Sequence, residues 1–356
     1  MTNSTSTALL ISGGVDSSVA VHMLMEQGIR PDLFYIAIGP DQNFEGFDCK
    51  MEEDIDLCKL VSKKYGLTFD VVPLHQEYWD MVVKYHTETL LAGRTPNPDL
   101  LCNQLIKFGA FEEKVGFNYD RLATGHYAWI QETADGRFLH TAKDRHKDQT
   151  YFLAQLSEKQ ISRLQFPIGE LTKQEVRNIA SSLELPNATR KDSQGICFIG
   201  RSHYKDFVTH LLGKKKGDFI EFATGKKLGE HDGHWYFTVG QRKGLGLAGG
   251  PWFVVRKNAE TNQVFIARGY EPDEVYGNNI SINHAHFLFP IQFNEETEVA
   301  LKIRHTPNFT KAVISKSDNG YSIRSMEPLH GIAPGQFAVV YDTKYNFVLM
   351  SGEMES

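Results

Sequence analysis

The sequence predicts a doubly wound α/β domain over residues 1–204, followed by two small β domains over residues 205–273 and 274–356. Three observations point to it. Short apolar strands alternate with helical segments through the first half of the chain. A Ser-Gly-Gly break separates the first strand from the first helix. Past about residue 205 the helical texture gives way to short β-rich runs separated by glycine.

Ala8-Leu9-Leu10-Ile11 is an apolar run suited to a buried parallel strand, and residues 15–27 follow with helical character that Gly28 ends. Residues 32–38 and 68–74 read as strands on either side of a helix over 55–65. Residues 119–123 give a further strand that ends at Thr124-Gly125-His126, and 173–183 an amphipathic helix capped by Thr172. In the second half, Phe219-Ile220-Glu221-Phe222, Trp252-Phe253-Val254-Val255, Gln263-Val264-Phe265-Ile266, residues 299–303 and residues 337–341 are spaced as the strands of one or two small barrels.

A chain of 356 residues exceeds one ordinary core, and its 41% apolar and 23% charged residues are those of a soluble protein. No apolar run approaches the roughly 20 residues that span a bilayer, so no membrane partner is expected. The first seven residues carry no basic or apolar targeting pattern, and a cytoplasmic location follows. Cys49, Cys58, Cys102 and Cys197 are too scattered for a disulfide framework or a C-x-x-C zinc site, and no protein metal site is predicted. The net charge of −6 does not exclude nucleic acid. Much of the acidity is local, at Asp41, Glu45, Asp48, Glu52, Glu53, Asp54 and Asp56, whereas Lys214-Lys215-Lys216 and Arg242-Lys243 offer a basic surface.

Ser12-Gly13-Gly14-Val15-Asp16-Ser17-Ser18 lies where a strand turns into a helix. Free N–H groups and the helix dipole there favour an anion, and the glycines let it come close. No Gly-Lys-Ser/Thr follows, so this is not a Walker A loop. In Thr95-Pro96-Asn97-Pro98-Asp99-Leu100-Leu101-Cys102-Asn103, the two prolines argue for an extended loop and a helix that starts no earlier than Asp99, which could cap it. Cys102 would then sit in the first turn, where the dipole promotes thiolate. Asp99 is one turn away and could exchange protons with a substrate. Cys197 sits in a polar loop, Lys191-Asp192-Ser193-Gln194-Gly195-Ile196-Cys197, with Arg190 close in sequence. Each cysteine, taken alone, also fits an inert buried residue, Cys102 near a helix start and Cys197 between Ile196 and Phe198.

Together these three segments resemble the tRNA-specific 2-thiouridylases of the PP-loop superfamily. Gly125-His126-Tyr127, residues 147–153, Phe166-Pro167-Ile168-Gly169, residues 239–246 and Pro334-Gly335-Gln336 match the family in order, so the resemblance spans nearly the whole chain. It implies a PP-loop (adenine nucleotide alpha-hydrolase-like) domain, a central β domain and a C-terminal β barrel. It also implies ATP with Mg²⁺ held by Leu10, Ile11, Ser12, Gly13, Gly14, Val15, Asp16 and Ser17, with Ile38 and Gly125 as further contacts. Cys102, Cys197 and Asp99 would be catalytic, with Cys197 carrying a persulfide received from a cysteine desulfurase or relay protein. Asn97, Pro98 and Asp99 would meet the target base, and His126, Lys147, Asp148, Gln149, Arg304, His305 and Gln336 the rest of the tRNA. Leu10-Ile11, Gly39-Pro40 and His305 differ from the family pattern. Another PP-loop adenylating enzyme would use the ATP loop without paired cysteines, and a non-catalytic RNA-binding protein would need neither.

Overall fold

The structure, a computed structural model, describes residues 5–39, 51–134, 136–192, 204–269, 272–293 and 295–355. Cys49 and Cys197 lie outside them. Strand β1 (Thr7–Leu10) is flanked by β2 (Asp32–Ala37) and β4 (Arg121–Thr124), with β3 (Phe69–Pro73) outside β2. A hairpin of β5 (Ala128–Thr133) and β6 (Gly136–Thr141) follows, and β7 (Leu164–Gln165) completes a parallel sheet in the order β3-β2-β1-β4-β7.

Every residue of β1 is buried because both faces of the sheet are covered. Ala8 and Leu10 point into one core with Phe34, Val72, Phe111 and Cys102. Leu9 and Ile11 point into the other with Leu33, Val19, Cys58 and Val176. Helices α1 (Val15–Glu26) and α2 (Met51–Tyr65) supply this second core, joined by the helix Lys173–Ser182. The last is capped by Thr172, as its sequence predicts, and Glu175 completes a capping box with it. The strand order changes direction at β1 and β4, which is where such sheets place a ligand, beyond the carboxyl ends of the strands.

On the first core lie two long helical stretches over residues 75–91 and 98–114, each with a π-helical segment, Trp79–Val83 and Cys102–Ala110. No periodic pattern announced these, since a π segment breaks the 3.6-residue repeat. The second π segment is held from outside. Gln160 Nε2 donates to the carbonyls of Gln104 and Phe108, both at 2.8 Å, while its Oε1 accepts from the Ser157 N–H of its own capping box. A β-carbon on Gly109 would stand 2.9 Å from the Gln104 carbonyl oxygen, so the wide turn closes there only around glycine.

Beyond the helix Tyr204–Leu212 the chain is chiefly β structure. Strands β8 (Gly217–Glu221), β9 (Lys227–His231), β10 (Trp252–Asn258) and β11 (Gln263–Arg268) form a mixed sheet in the order β10-β11-β8-β9. A seven-stranded antiparallel sheet follows, built from β12 (Tyr276–Ile282), β13 (Ala285–Phe287), β14 (Thr297–Lys302), β15 (Thr310–Ser317), β16 (Gly320–His330), β17 (Phe337–Tyr341) and β18 (Val348–Glu353). Its order is β12-β16-β15-β14-β17-β18-β13, and it curls around a core of Ile280, Phe293, Ile314 and Val340 until Glu355 N–H reaches the Ser281 carbonyl beside β12. No described helix is long and apolar enough to cross a membrane.

The curled sheet is fastened to the first half by a salt bridge with both side chains fully buried, Lys302 Nζ to Asp148 Oδ2 at 3.2 Å. The ammonium also lies 4.1 Å from the centre of the Phe309 ring. Removing one partner from such a pair leaves an uncompensated buried charge. Lys302→Ala is therefore expected to lower stability by about 3–5 kcal/mol in urea unfolding. Lys302→Met combined with Asp148→Asn, which removes both charges and keeps an acceptor for the Ala142 N–H, should recover part of that loss.

Candidate active site

The break after β1 forms a tight loop. Ile11 N–H donates to the Phe34 carbonyl at 2.9 Å, which extends the β1–β2 pairing by one residue. Gly13 then takes φ +71°, and Ser12 N–H donates to Ser17 Oγ at 3.2 Å. Ser17 and Ser18 hydroxyls both donate to the Gly14 carbonyl at 3.1 Å. Gly14 is the N-cap of α1 and brings no side chain to the cap, so no side chain occupies the first-turn N–H groups. A nucleotide phosphate fits that feature: α1 presents uncapped donors and the Ser12 and Ser17 hydroxyls beside them.

Gly125, at the end of β4, closes the loop from the neighbouring strand. A β-carbon there would lie 2.6 Å from Ser17 N and 2.8 Å from the Asp16 carbonyl carbon. Gly125 thus sets how near β4 comes to the first turn of α1. Leu10, Ile11 and Val15 are buried under the loop, and Ile38 packs against the first core at the end of β2. Behind the loop, Asn187 Nδ2 donates to Gly13 O and to Ser18 Oγ, both at 2.8 Å. Arg190 also reaches Gly13 O, at 3.1 Å, and pairs with Asp54. Asn187 does not stand out in the sequence and Arg190 does so only as a neighbour of Cys197, because nothing local marks a contact to a loop more than 170 residues earlier.

A dense ionic network adjoins the loop. Asp16 accepts from Tyr127 Oη at 2.9 Å and from Lys173 Nζ at 2.7 Å. Asp192 receives Lys147 on Oδ2 and both Lys173 and Arg177 on Oδ1, each at 2.7 Å. Burial works to raise the Asp192 pKa, but hydrogen bonds from Lys147 and Lys173 outweigh it and hold the carboxyl down at about 2. Among the described residues, no group of three or more His, Cys, Asp or Glu side chains is arranged to hold a metal ion.

The Asp99–Cys102 segment departs from its sequence reading. The helix begins at Pro98, one residue earlier than expected, and Asn97 rather than Asp99 occupies the N-cap position, without a side-chain cap bond. Proline is at home at the first helical position, where its missing N–H costs nothing. Cys102 is consequently the fifth residue of the helix. Its N–H is already used, pointing back to the Asp99 and Pro98 carbonyls. Direct activation by the helix end is weaker than the first-turn position implied. The thiol is 3% exposed and belongs to the same apolar core as Leu10, the last residue of β1.

Asp99 and His126 share an electrostatic setting. Burial raises the Asp99 carboxyl above 3.8, and Lys107 pulls it the other way. Burial also pushes the His126 imidazole well below 6.5, helped by Lys107, so it is neutral near pH 7. His126 Nδ1 is hydrogen-bonded to Thr124 Oγ1 at 2.7 Å, and its ring lies between Phe108 and Phe166 at 6.3 and 6.1 Å.

The loop before Pro98 is shaped by the curled sheet. Thr95 N–H donates to the Pro334 carbonyl at 2.8 Å, and Gln336 Nε2 donates to the Thr95 and Pro96 carbonyls at 3.2 and 2.8 Å. Asn97 Nδ2 reaches Tyr151 Oη at 3.4 Å, whose hydroxyl in turn donates to Phe337 O at 3.1 Å. The other sequence candidates sit close by in intramolecular roles. Asp148 accepts from Ala142 N at 3.0 Å and Thr150 Oγ1 at 2.8 Å besides Lys302, and its carbonyl accepts from His305 Nε2 at 2.9 Å. Gln149 Oε1 accepts from Tyr127 N–H at 2.9 Å, and Arg304 binds the carbonyls of His330 and Gly331. Lys214 and Lys216 both face Asp232, at 3.8 and 2.8 Å.

A buried carboxylate with a raised pKa costs stability once pH rises above its folded value and costs nothing below the unfolded value of 3.8. Asp99→Asn is therefore expected to melt above the parent protein at pH 7. That gap should close as the pH is lowered toward 3.8. A gap independent of pH would show that the ionised carboxylate is not the source.

Three family profiles match consecutive stretches of the chain: the tRNA methyl transferase HUP domain over residues 5–201, the tRNA methyl transferase PRC-barrel domain over 205–268, and the aminomethyltransferase beta-barrel domain over 278–352. The tRNA-specific 2-thiouridylase MnmA of Porphyromonas gingivalis is 51% identical over 352 residues, covering 97% of this chain and 98% of its own. The tRNA-specific 2-thiouridylase MnmA 2 of Bacteroides fragilis is 52% identical over 350 residues, covering 98% and 99%. Among solved structures, the NMN synthetase of Francisella tularensis overlaps 60% of this chain and 79% of its own, with a TM-score of 0.36 at 11% identity. With half of its residues shared along essentially the full length of both chains, the protein belongs to the tRNA-specific 2-thiouridylase family.

Proposed function

We propose that this protein is a tRNA-uridine 2-sulfurtransferase that thiolates the wobble uridine of tRNAs of the Lys, Glu and Gln type, using ATP and Mg²⁺. The observation that carries the reading is full-length membership of the 2-thiouridylase family together with an intact Asp99–Cys102 helix packed in the same core as the end of β1. ATP, when bound at residues 10–17, converts the uridine C2 oxygen into a leaving group by adenylation, with release of pyrophosphate and later of AMP. The loop's own part is to offer uncapped N–H groups and serine hydroxyls to the phosphates, and Gly125 keeps β4 close enough to complete the cradle.

Asn97, Pro98 and Asp99 meet the flipped base. Burial raises the Asp99 pKa, which favours a carboxyl that can take up and return a proton at the pyrimidine ring. His126, Lys147, Asp148, Gln149, Arg304, His305 and Gln336 line or brace the surface on which the tRNA is read. For Asp148 and Gln336 that role is to hold the backbone of neighbouring loops, as their internal hydrogen bonds support. The sulfur comes from a Cys197 persulfide loaded by a cysteine desulfurase or relay protein. Its outer sulfur bonds to C2 as AMP departs. The Cys102 thiolate then attacks the Cys197 sulfur, which forms a Cys102–Cys197 disulfide and leaves the second sulfur on the base. An external thiol reopens the disulfide for the next cycle. The site of action is the cytoplasm.

Mass spectrometry of nucleosides tests this directly. Unmodified tRNA with a wobble uridine, incubated with the protein, ATP, Mg²⁺ and a persulfide-generating desulfurase, should yield 2-thiouridine only when ATP is present. Cys102→Ala and Cys197→Ala should each abolish the product while circular dichroism and melting stay near the parent's. Appreciable sulfur transfer by either variant would refute the persulfide–disulfide scheme. ATP-dependent adenylation with full product formation by Cys197→Ser would instead favour an adenylating enzyme of another kind. Affinity for tRNA should fall steeply between about 50 and 200 mM salt, because the contacts are chiefly to phosphate.

A further inference from the structure

The link between the two long helical stretches is gripped by both β sheets. The first stretch ends at Leu91 and turns out through Gly93 at φ +76°. There Gly93 N–H donates to Leu90 O and Arg94 N–H to Thr89 O, both at 3.0 Å. Residues 92–97 then lead to Pro98, where the next helix starts. On one side the curled sheet holds this link. The Arg94 guanidinium pairs with Glu353 and Glu355 at 2.8 and 3.1 Å, beside the Thr95 and Pro96 contacts described above. On the other side stands the β10–β11 hairpin of the central sheet. A β-carbon on Gly93 would lie 3.2 Å from that of Ala259 in the hairpin turn. Lys257 Nζ, on β10, donates to the Arg94 carbonyl at 3.3 Å. His234 adds a contact from Nε2 to the Leu90 carbonyl at 3.2 Å. Its Nδ1 faces a second acceptor, Asn262 Oδ1 at 3.1 Å, because the Asn262 amide nitrogen is spent on the Lys215 and Lys216 carbonyls. Both ring contacts are hydrogen bonds only while His234 is an imidazolium. Burial lowers its pKa below 6.5, so Lys257 is the firmer tie at pH 7.

As a mere fastener Lys257 is a poor choice. Burial lowers its amine from 10.5 to about 8, so it is still an ammonium at pH 7. Among the described residues it hydrogen-bonds the Arg94 carbonyl and no carboxylate. A part-buried ammonium without a counter-ion stabilises a fold less than an apolar side chain of similar volume. What it supplies is a directed bond three residues before Asn97. We propose that Lys257 is a positioning residue for the reaction: its bond to the Arg94 carbonyl, set against the Arg94–Glu353 pair, fixes residues 92–97 so that Asn97, Pro98 and Asp99 meet the target base in one register. This rests on the base contacts proposed above. Lys257 acts through the link and touches neither base nor nucleotide.

Steady-state thiolation by the full chain, with tRNA, ATP, Mg²⁺ and the persulfide-generating desulfurase, tests this alongside thermal melting and ATP titration. Lys257→Met keeps the side-chain volume and removes the donor. It is expected to melt at or above the parent's temperature and to bind ATP equally. Its KM for tRNA should stay within about threefold while kcat falls about tenfold or more, since a misplacement of about 1 Å can cost on the order of 100-fold. Lys257→Arg, which keeps a cationic donor, should recover most of that loss. An unchanged kcat in Lys257→Met would overturn the proposal. So would a loss of kcat matched by a lower melting temperature, the mark of a brace for the fold. A raised KM at the parent's kcat, the mark of a tRNA contact, would overturn it equally. Asn97→Ala and Asp99→Ala check the reading beneath it. If both thiolate at the parent's rate, the base contacts are misassigned and the positioning role falls with them.

Discussion

The buried ion pair between Lys302 and Asp148 sets how the two halves of the molecule meet. Neither side chain has water to fall back on, so each must be satisfied by the other half of the chain or by its own backbone. Asp148 meets that demand four times over, through Ala142, Thr150, Lys302 and, by its carbonyl, His305. Thr150 carries the network on to Tyr341 on β17 at 3.1 Å. With the seam fixed there, the turn before β17 comes to lie against Thr95 and Pro96. Gln336, Pro334 and Tyr151 can then hold the approach to Asp99 in one shape. The curled sheet is thereby a structural wall of the candidate active site.

The parts of this arrangement that rest on local pattern could be read from the sequence. The run Ala8-Leu9-Leu10-Ile11 is apolar throughout because both faces of β1 are covered, and Gly13 marks the left-handed turn that follows. Thr172 marked the start of the helix Lys173–Ser182, and residues 337–341 coincide with a strand. The helical stretch over 75–91 was not legible, and of the one over 98–114 only its start near Asp99 was. Their π segments abandon the 3.6-residue period, and the second depends on a remote side chain, Gln160, for two of its carbonyls. Pro98 misled for a related reason: its ring forbids a helix interior yet suits the first helical position, and only the fold shows which applies.

The site was legible as segments and illegible as a constellation. Motif reading picks out Ser12, Asp99 and Cys102 because each sits in a chemically unusual stretch. It passes over Lys173, Arg177 and Asn187, which lie on or just after an ordinary amphipathic helix and matter only for what stands opposite them, and it reads Arg190 only as a neighbour of Cys197. Gly125 is an intermediate case. The sequence names it as a nucleotide contact, and the structure gives it a steric task, since no side chain fits between β4 and the first turn of α1.

The seam between residues 95–97 and the curled sheet also bears on how the protein is made. Gln336 is 241 residues beyond Thr95, yet it supplies donors that the Thr95 and Pro96 carbonyls use in the folded state. A ribosome adding about 5–20 residues per second needs roughly 10–50 s to cover that distance. For the later part of that interval, once β7 (Leu164–Gln165) has been made, the parallel sheet has all its strands and the nucleotide loop can form, while the approach to Asp99 still lacks its far wall. A nascent chain can therefore hold a complete nucleotide loop well before it can shape the entrance to its cysteine.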